Sequence, residues 1–196
     1  MRSVVGCSVV LALATLAGCA NWGGADKGPV VVDYYAGTTD LSGYPGMGIG
    51  AGNVLYGNAG AADGYRYQPL EVRQCNAQKS ACALGIVNLV SQIQILSVGD
   101  TVAKLRVDLN YQVGAEGRRE WPENTYVEKL SVPEIINDKG TVSRTAEVPY
   151  GEVRHIELPY GVSLTLCVSP PGVSNMNTRP CAGQLKVKDT AGVPVF

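Results

Sequence analysis

Hydrophobic and polar positions divide the chain into three stretches of different rhythm. Behind Arg2, residues 4 to 15 form an almost unbroken run of small and medium apolar residues, followed by Leu16-Ala17-Gly18-Cys19. A positive end, a short apolar run and then small residues is the layout of a secretory signal, which is removed from the mature chain. The run is well short of the ~20 apolar residues that a membrane-spanning helix needs. Residues 20 to 64 show no helical period. From Tyr65 onward the period is two.

The clearest strand runs from Ala103 to Val113. Ala103, Leu105, Val107, Leu109, Tyr111 and Val113 alternate with Lys104, Arg106, Asp108, Asn110 and Gln112, giving one dry and one wet face. Gly99-Asp100 before it, and Gly114 with Gly117 after it, are turn signals. Val162, Leu164, Leu166 and Val168 alternate with Ser163, Thr165, Cys167 and Ser169 in a second strand. Weaker strand patterns lie at Arg66–Val72, Ala83–Leu89, Gln92–Val98, Tyr126–Val132, Val142–Val148, Val153–Leu158 and Gln184–Val187. Asp138-Lys139-Gly140 and Pro149-Tyr150-Gly151 read as turns between them; Thr125 with Glu128 has the spacing of a capping box for one helical turn, but Tyr126, Val127 and Val132 around it argue more for strand.

Short strands at intervals of roughly 8–12 residues predict an all-β fold, an antiparallel β-sandwich over residues 65–196. The spacing, and the stretch EVPYGEVRHIELPYGVSLTLCV in particular, resembles the later strands of immunoglobulin-like or transthyretin-like sandwiches. No Cys…Trp…Cys signature accompanies it, so the resemblance is one of architecture, and architecture alone does not specify activity.

The string LAGC at residues 16–19 resembles the lipobox of bacterial lipoproteins. In that family the cysteine sulfur receives a diacylglyceryl group, the chain is cut before it, and the new amine is acylated. The resemblance implies a signal peptide at residues 1–18 and lipidation at Cys19. Ala17 and Gly18 are small enough for a peptidase groove, and only a thiol supplies the nucleophile. Three fatty chains such as palmitate make an anchor that does not let go, because each buried methylene contributes about 0.8 kcal/mol. Ala20 stands where an aspartate often marks retention in the inner membrane of enteric bacteria, so the resemblance implies export to the outer membrane; it leaves the side open, with the periplasmic side expected over the cell surface.

Residues 19–64 read as a Gly/Tyr-rich tether. This stretch holds half of the chain's 24 glycines, together with Tyr34, Tyr35, Tyr44 and Tyr56. As a coil of 45 residues it would span about 35–40 Å. The string GMGIGAG at Gly46–Gly52 superficially resembles a dinucleotide-binding loop, but it follows Tyr44-Pro45 rather than a strand, and no helical pattern follows it. One segment departs from tether character. Val30, Val31, Val32, Asp33, Tyr34 and Tyr35 have strong strand propensity. An unpaired strand of this kind is a hazard, so the segment adds either to the chain's own sheet or to a neighbour's.

Removal of residues 1–18 from 196 leaves 178, enough for one domain. Lys plus Arg is 16 and Asp plus Glu is 17, so no global charge calls for nucleic acid. Beyond Cys7 and Cys19 the cysteines are Cys75, Cys82, Cys167 and Cys181. An even number in an exported chain reads as two disulfides. Local pairing, Cys75 with Cys82 and Cys167 with Cys181, is the simplest of three connectivities. Cys167 falls on the polar side of its strand whereas Cys181 shares parity with Leu185 and Val187, which leaves a bulge near Pro180 or crossed bridges as alternatives. No close CxxC pair exists and His155 is the only histidine, so no metal site or cofactor is expected.

Little reactive chemistry is legible. His155 shares a strand face with Glu157, a pairing more typical of a surface contact than of a catalytic pair. Glu116, Glu120 and Glu123 lie in a turn-rich loop, GAEGRREWPEN, with Arg118, Arg119 and Trp121; arginine and tryptophan are favoured interface anchors. Phe196 ends the chain as in outer-membrane barrels, but Gly192 and Pro194 interrupt the last strand and the leader is of the lipid-anchored kind.

These readings predict a non-enzymatic structural lipoprotein of the outer membrane, a subunit of a multiprotein envelope assembly such as a secretion system, pilus or flagellar ring. Its partners would be the membrane, through the lipid, and other envelope proteins. Val30, Val31, Val32, Tyr34, Tyr35, Arg118, Arg119 and Trp121 are the expected contact residues. The alternative is a stand-alone binding module, a hydrolase inhibitor or adhesin, presenting the loop from Val168 to Pro180. An envelope hydrolase using Glu116, Glu120, Glu123 and His155 is the third.

Overall fold

The computed structural model describes residues 27–38, 50–78, 80–120, 125–129, 134–173, 179–185 and 194–196. They form an antiparallel β-sandwich of two sheets with a small two-stranded sheet at one end. The first sheet has the order β10-β11-β1-β2, with β1 at Val30–Thr38, β2 at Ala51–Gly57, β10 at Val153–Glu157 and β11 at Val162–Ser169. The second runs β3-β5-β6-β9, with β3 at Ala62–Arg66, β5 at Cys82–Val98, β6 at Val102–Gly114 and β9 at Asp138–Pro149. Strand β4, Leu70–Cys75, pairs with the early half of β5. Strands β7, Glu116–Glu120, and β8, Thr125–Lys129, form the small sheet.

The period-two pattern explains the packing. Leu105, Val107 and Leu109 of β6 and Leu164, Leu166 and Val168 of β11 point into one core between the sheets, at 1% exposure or less. Lys104, Arg106 and Asn110 face water on the opposite side of β6. Two expected strands, Ala83–Leu89 and Gln92–Val98, are one continuous strand of 17 residues, β5, paired with β6 from Ile86 to Val98. A register shift between Ile95 and Ser97 leaves Leu96 bulged and partly exposed. Asp138-Lys139-Gly140 is not a turn: it opens β9, where Gly140 sits opposite Tyr111. Thr125–Lys129 pairs as a strand, not a helical turn.

The largest departure from expectation concerns the tether. The sandwich starts at Val30, not near Tyr65. Strand β1 is one of the two inner strands of its sheet, with β11 on one side and β2 on the other, registered Val32 to Val168 and Val32 to Leu55. Strand β3 follows in the second sheet. Glycine content concealed this. The Tyr35 ring lies over Gly50 and Gly52: a Cβ on Gly50 would overlap the ring, and one on Gly52 would sit 2.5 Å from the Tyr34 carbonyl oxygen. These glycines make a bed for an aromatic side chain rather than a flexible coil.

Candidate functional site

Val30, Val32 and Tyr34 are expected contact residues that the fold withdraws from contact. They point into the core at 1% exposure or less, and Val31 on the opposite face is equally buried. Tyr35 is half-buried over its glycine bed. The segment satisfies its pairing potential within its own sheet, which removes it as a surface for a neighbour's strand. Arg118 and Arg119 lie on β7, opposite Val127 and Tyr126. Trp121, Glu123 and Cys19 lie outside the described residues.

Both cysteine pairs are local: Cys75 bonds Cys82 and Cys167 bonds Cys181. The parity conflict has a physical resolution. Cys167 is on the outer face of β11, as its sequence position requires, yet it is fully buried. Residues 179–185 cross that face without forming a strand, so no strand parity constrains Cys181. Thr165 donates from its hydroxyl to the Leu185 carbonyl at 2.9 Å, and Arg179 grips Asp33 with Nε to Oδ2 at 2.8 Å and Nη2 to Oδ1 at 2.5 Å. Asp33 is the register partner of Cys167, so the disulfide and the ion pair fasten the crossing segment at neighbouring points. The loop between them begins on buried Val168 and reaches exposed Pro180, and residues 174–178, including Asn175 and Asn177, lie outside the described residues.

His155 is buried at 4% exposure. Its Nδ1 lies 3.2 Å from the Pro194 carbonyl oxygen and its Nε2 lies 3.4 Å from Glu157 Oε1. The backbone of His155 also pairs with residues 194–196, which add to the free edge of β10 and bring Phe196 against the core. Its nearest cross-strand hydroxyl, Thr165, donates to the Leu185 and Tyr35 carbonyls. The arrangement ties the chain end to the sheet. Glu116 pairs with Lys129 across β7 and β8 at 2.8 Å, which raises the lysine's proton affinity through that hydrogen bond.

Two tyrosine–carboxylate groups escaped the sequence reading. Tyr34 and Asn53 both donate to Asp63, the latter at 3.1 Å, and Tyr34, Tyr65 and Tyr67 stack edge to face with centroids 6.1 and 4.9 Å apart. Tyr67 bonds the Ser91 hydroxyl at 3.0 Å inside the core. Burial, and then the Asp63 hydrogen bond, push the Tyr34 phenol far above its ordinary value; burial does the same for Tyr67. At the other group, Tyr111 and Tyr160 donate to Asp138 at 3.3 and 3.0 Å, and Tyr160 holds a left-handed φ of 63° between Pro159 and Gly161. An excess of tyrosine over phenylalanine, 10 against 1, was the signal in the sequence that apolar rings here also need polar partners.

Among the described residues, no group of three or more His, Cys, Asp or Glu side chains could hold a metal ion, and no helix is long and apolar enough to cross a membrane. No family model, curated protein or solved structure matches the chain.

Proposed function

We propose that this protein is a structural lipoprotein of the outer membrane, anchored through acylated Cys19 on the periplasmic side and serving as a non-enzymatic, stabilising subunit of a multiprotein envelope assembly. The observation that carries the reading is the leader: a positive residue, an apolar run and LAGC at residues 16–19. Two disulfides support it, because such bonds persist in oxidising compartments. So does the use of His155 as a fastener for the chain end. The contact elements on this reading are Arg118 and Arg119 on β7, with Trp121, which follows that strand in the sequence, and no longer Val30–Tyr35.

Cross-linking in intact cells, followed by native sizing of detergent extracts, tests the assembly role. A stable larger species containing a second envelope protein is the expected result. Migration as a monomer alone, with no cross-linked neighbour, contradicts it. Truncations used for this purpose must end before Lys27, since β1 begins at Val30. One observation favours a second reading, a binding module presenting residues 168–180: both roots of that loop are fastened, by Cys167–Cys181 and by Arg179–Asp33. Loss of partner binding on reduction, with the sandwich still folded, would select it.

A further inference from the structure

The strand arrangement gives the sandwich a near end and a far end with respect to the lipid, if Cys19 is acylated as proposed above. Only eight positions separate Cys19 from Lys27. Fully extended they reach about 29 Å, and as a coil about 14–17 Å. Lys27 pairs with Asp100 in the turn between β5 and β6, and three residues later β1 is locked into the middle of its sheet. The same end carries Gly60, whose amide donates to the Ile95 carbonyl, and Tyr150, whose hydroxyl donates to the Gly99 carbonyl at 2.9 Å. Strand β5 leaves this turn and runs 17 residues to Cys82, roughly 55 Å. The Cys75–Cys82 hairpin, the Leu84–Ile135 bridge and β7 therefore lie at the far end.

We propose that the sandwich stands end-on, with the Val98–Val102 turn against the lipid headgroups and the β7–β8 hairpin presented roughly 50 Å away from them. The tether is much shorter than the domain, so the domain cannot invert. Among the described residues, the outer face of the second sheet is largely polar, which gives the bilayer little to adhere to on that side. Outward positions on β5, β6 and β9 include Gln92, Gln94, Arg106, Asp108 and Ser143, with Arg106 paired to Asp108 at 2.9 Å, and Val90 and the bulged Leu96 are apolar exceptions on β5. At the near end, Lys27 with Asp100 and Arg154 with Glu152 are also paired, so the turn neither repels nor strongly attracts anionic lipid. The acyl chains supply the attraction and the strand connectivity supplies the direction.

Energy transfer to headgroup-labelled acceptor lipids tests this. Acylated protein purified from membranes is reconstituted into phosphatidylethanolamine–phosphatidylglycerol vesicles, carrying a dye on a clickable noncanonical residue at Thr101 or at Glu134. Both positions are exposed, and they lie roughly 45 Å apart along β5 by its register. Transfer from position 101 is expected to exceed that from 134 severalfold. Inserting about 30 Gly/Ser residues between Ala20 and Lys27 lengthens the coil reach to about 35 Å and should bring the ratio toward one. Equal transfer with the native tether, or a ratio that the insertion leaves unchanged, overturns the orientation while leaving the anchor standing. A purified chain whose mass shows no acyl group on Cys19 overturns both.

Discussion

The Arg179–Asp33 pair offers the sharpest test of how the outer face of the first sheet is closed. Asp33 is 7% exposed and Arg179 12% exposed at the side chain, and the guanidinium holds both carboxylate oxygens. Arg179→Met removes the cation and leaves the carboxylate under the crossing segment. Breaking a buried pair from one side costs about 3–5 kcal/mol. Residual solvent access places this case near the lower limit, about 3 kcal/mol, which for a domain of this size lowers Tm by about 6–12 °C. Asp33→Asn combined with Arg179→Met replaces the pair by groups that need no counterion and should recover stability to within about 1 kcal/mol of the parent. Urea unfolding without reductant, extrapolated linearly, measures all three chains. An Arg179→Met variant within about 0.5 kcal/mol of the parent would refute the reasoning, because it would make the pair equivalent to a solvated surface contact.

Other expectations follow from the same geometry. Cys167→Ser with Cys181→Ser opens a disulfide of sequence separation 14, and should lower stability by about 3 kcal/mol in denaturant titrations. Gly85→Ala places a Cβ 2.6 Å from Val113 Cγ1 and 3.1 Å from Ile136 Cβ in the core, so thermal unfolding should show a loss of about 1–3 kcal/mol from overpacking. Tyr34 and Tyr67 resist ionisation in the folded chain. Their contribution is therefore complete below about pH 10, the ordinary phenol value, and declines as pH rises above it, because the unfolded chain releases those protons first. Ultraviolet titration should show these two phenols ionising only as the fold is lost. Asp108 is held below the usual carboxylate range, first by the Ser143 hydroxyl and then by Arg106, so its contribution is present above the ordinary aspartate value and lost as pH falls below it. Ser143→Ala should flatten the acid limb of the stability profile.

Alternation and cysteine spacing carried most of the fold in legible form. Ala103–Val113 lies within β6, Val162–Val168 within β11, and both disulfides join the nearest cysteines, because burial of one sheet face imposes period two wherever side chains do the packing. The first three strands were harder to read for a related reason. Where Tyr35 covers Gly50 and Gly52, the packing surface is backbone, and glycine carries no polarity signal. Strand β11 was legible as half-wet, yet it is buried on both faces, because what covers Thr165 and Cys167 is an irregular segment from the chain's own end. The tyrosine–carboxylate groups arise from contacts between distant strands, such as Tyr34 with Asp63, which spacing along one strand cannot disclose. The leader is different: LAGC is a contiguous string that lies outside the described residues, so its reading rests on the sequence alone.

The claim on which the rest depends is that a lipid on Cys19 holds this sandwich to a bilayer. Intact-mass measurement of the protein extracted from envelopes of cells expressing the full chain addresses it without intermediaries. The account predicts a mature chain beginning at residue 19 and heavier than its residues by a diacylglyceryl group and an amide-linked acyl chain. A mature chain carrying no lipid on either the sulfur or the amine, beginning at residue 19 or further downstream, would contradict it.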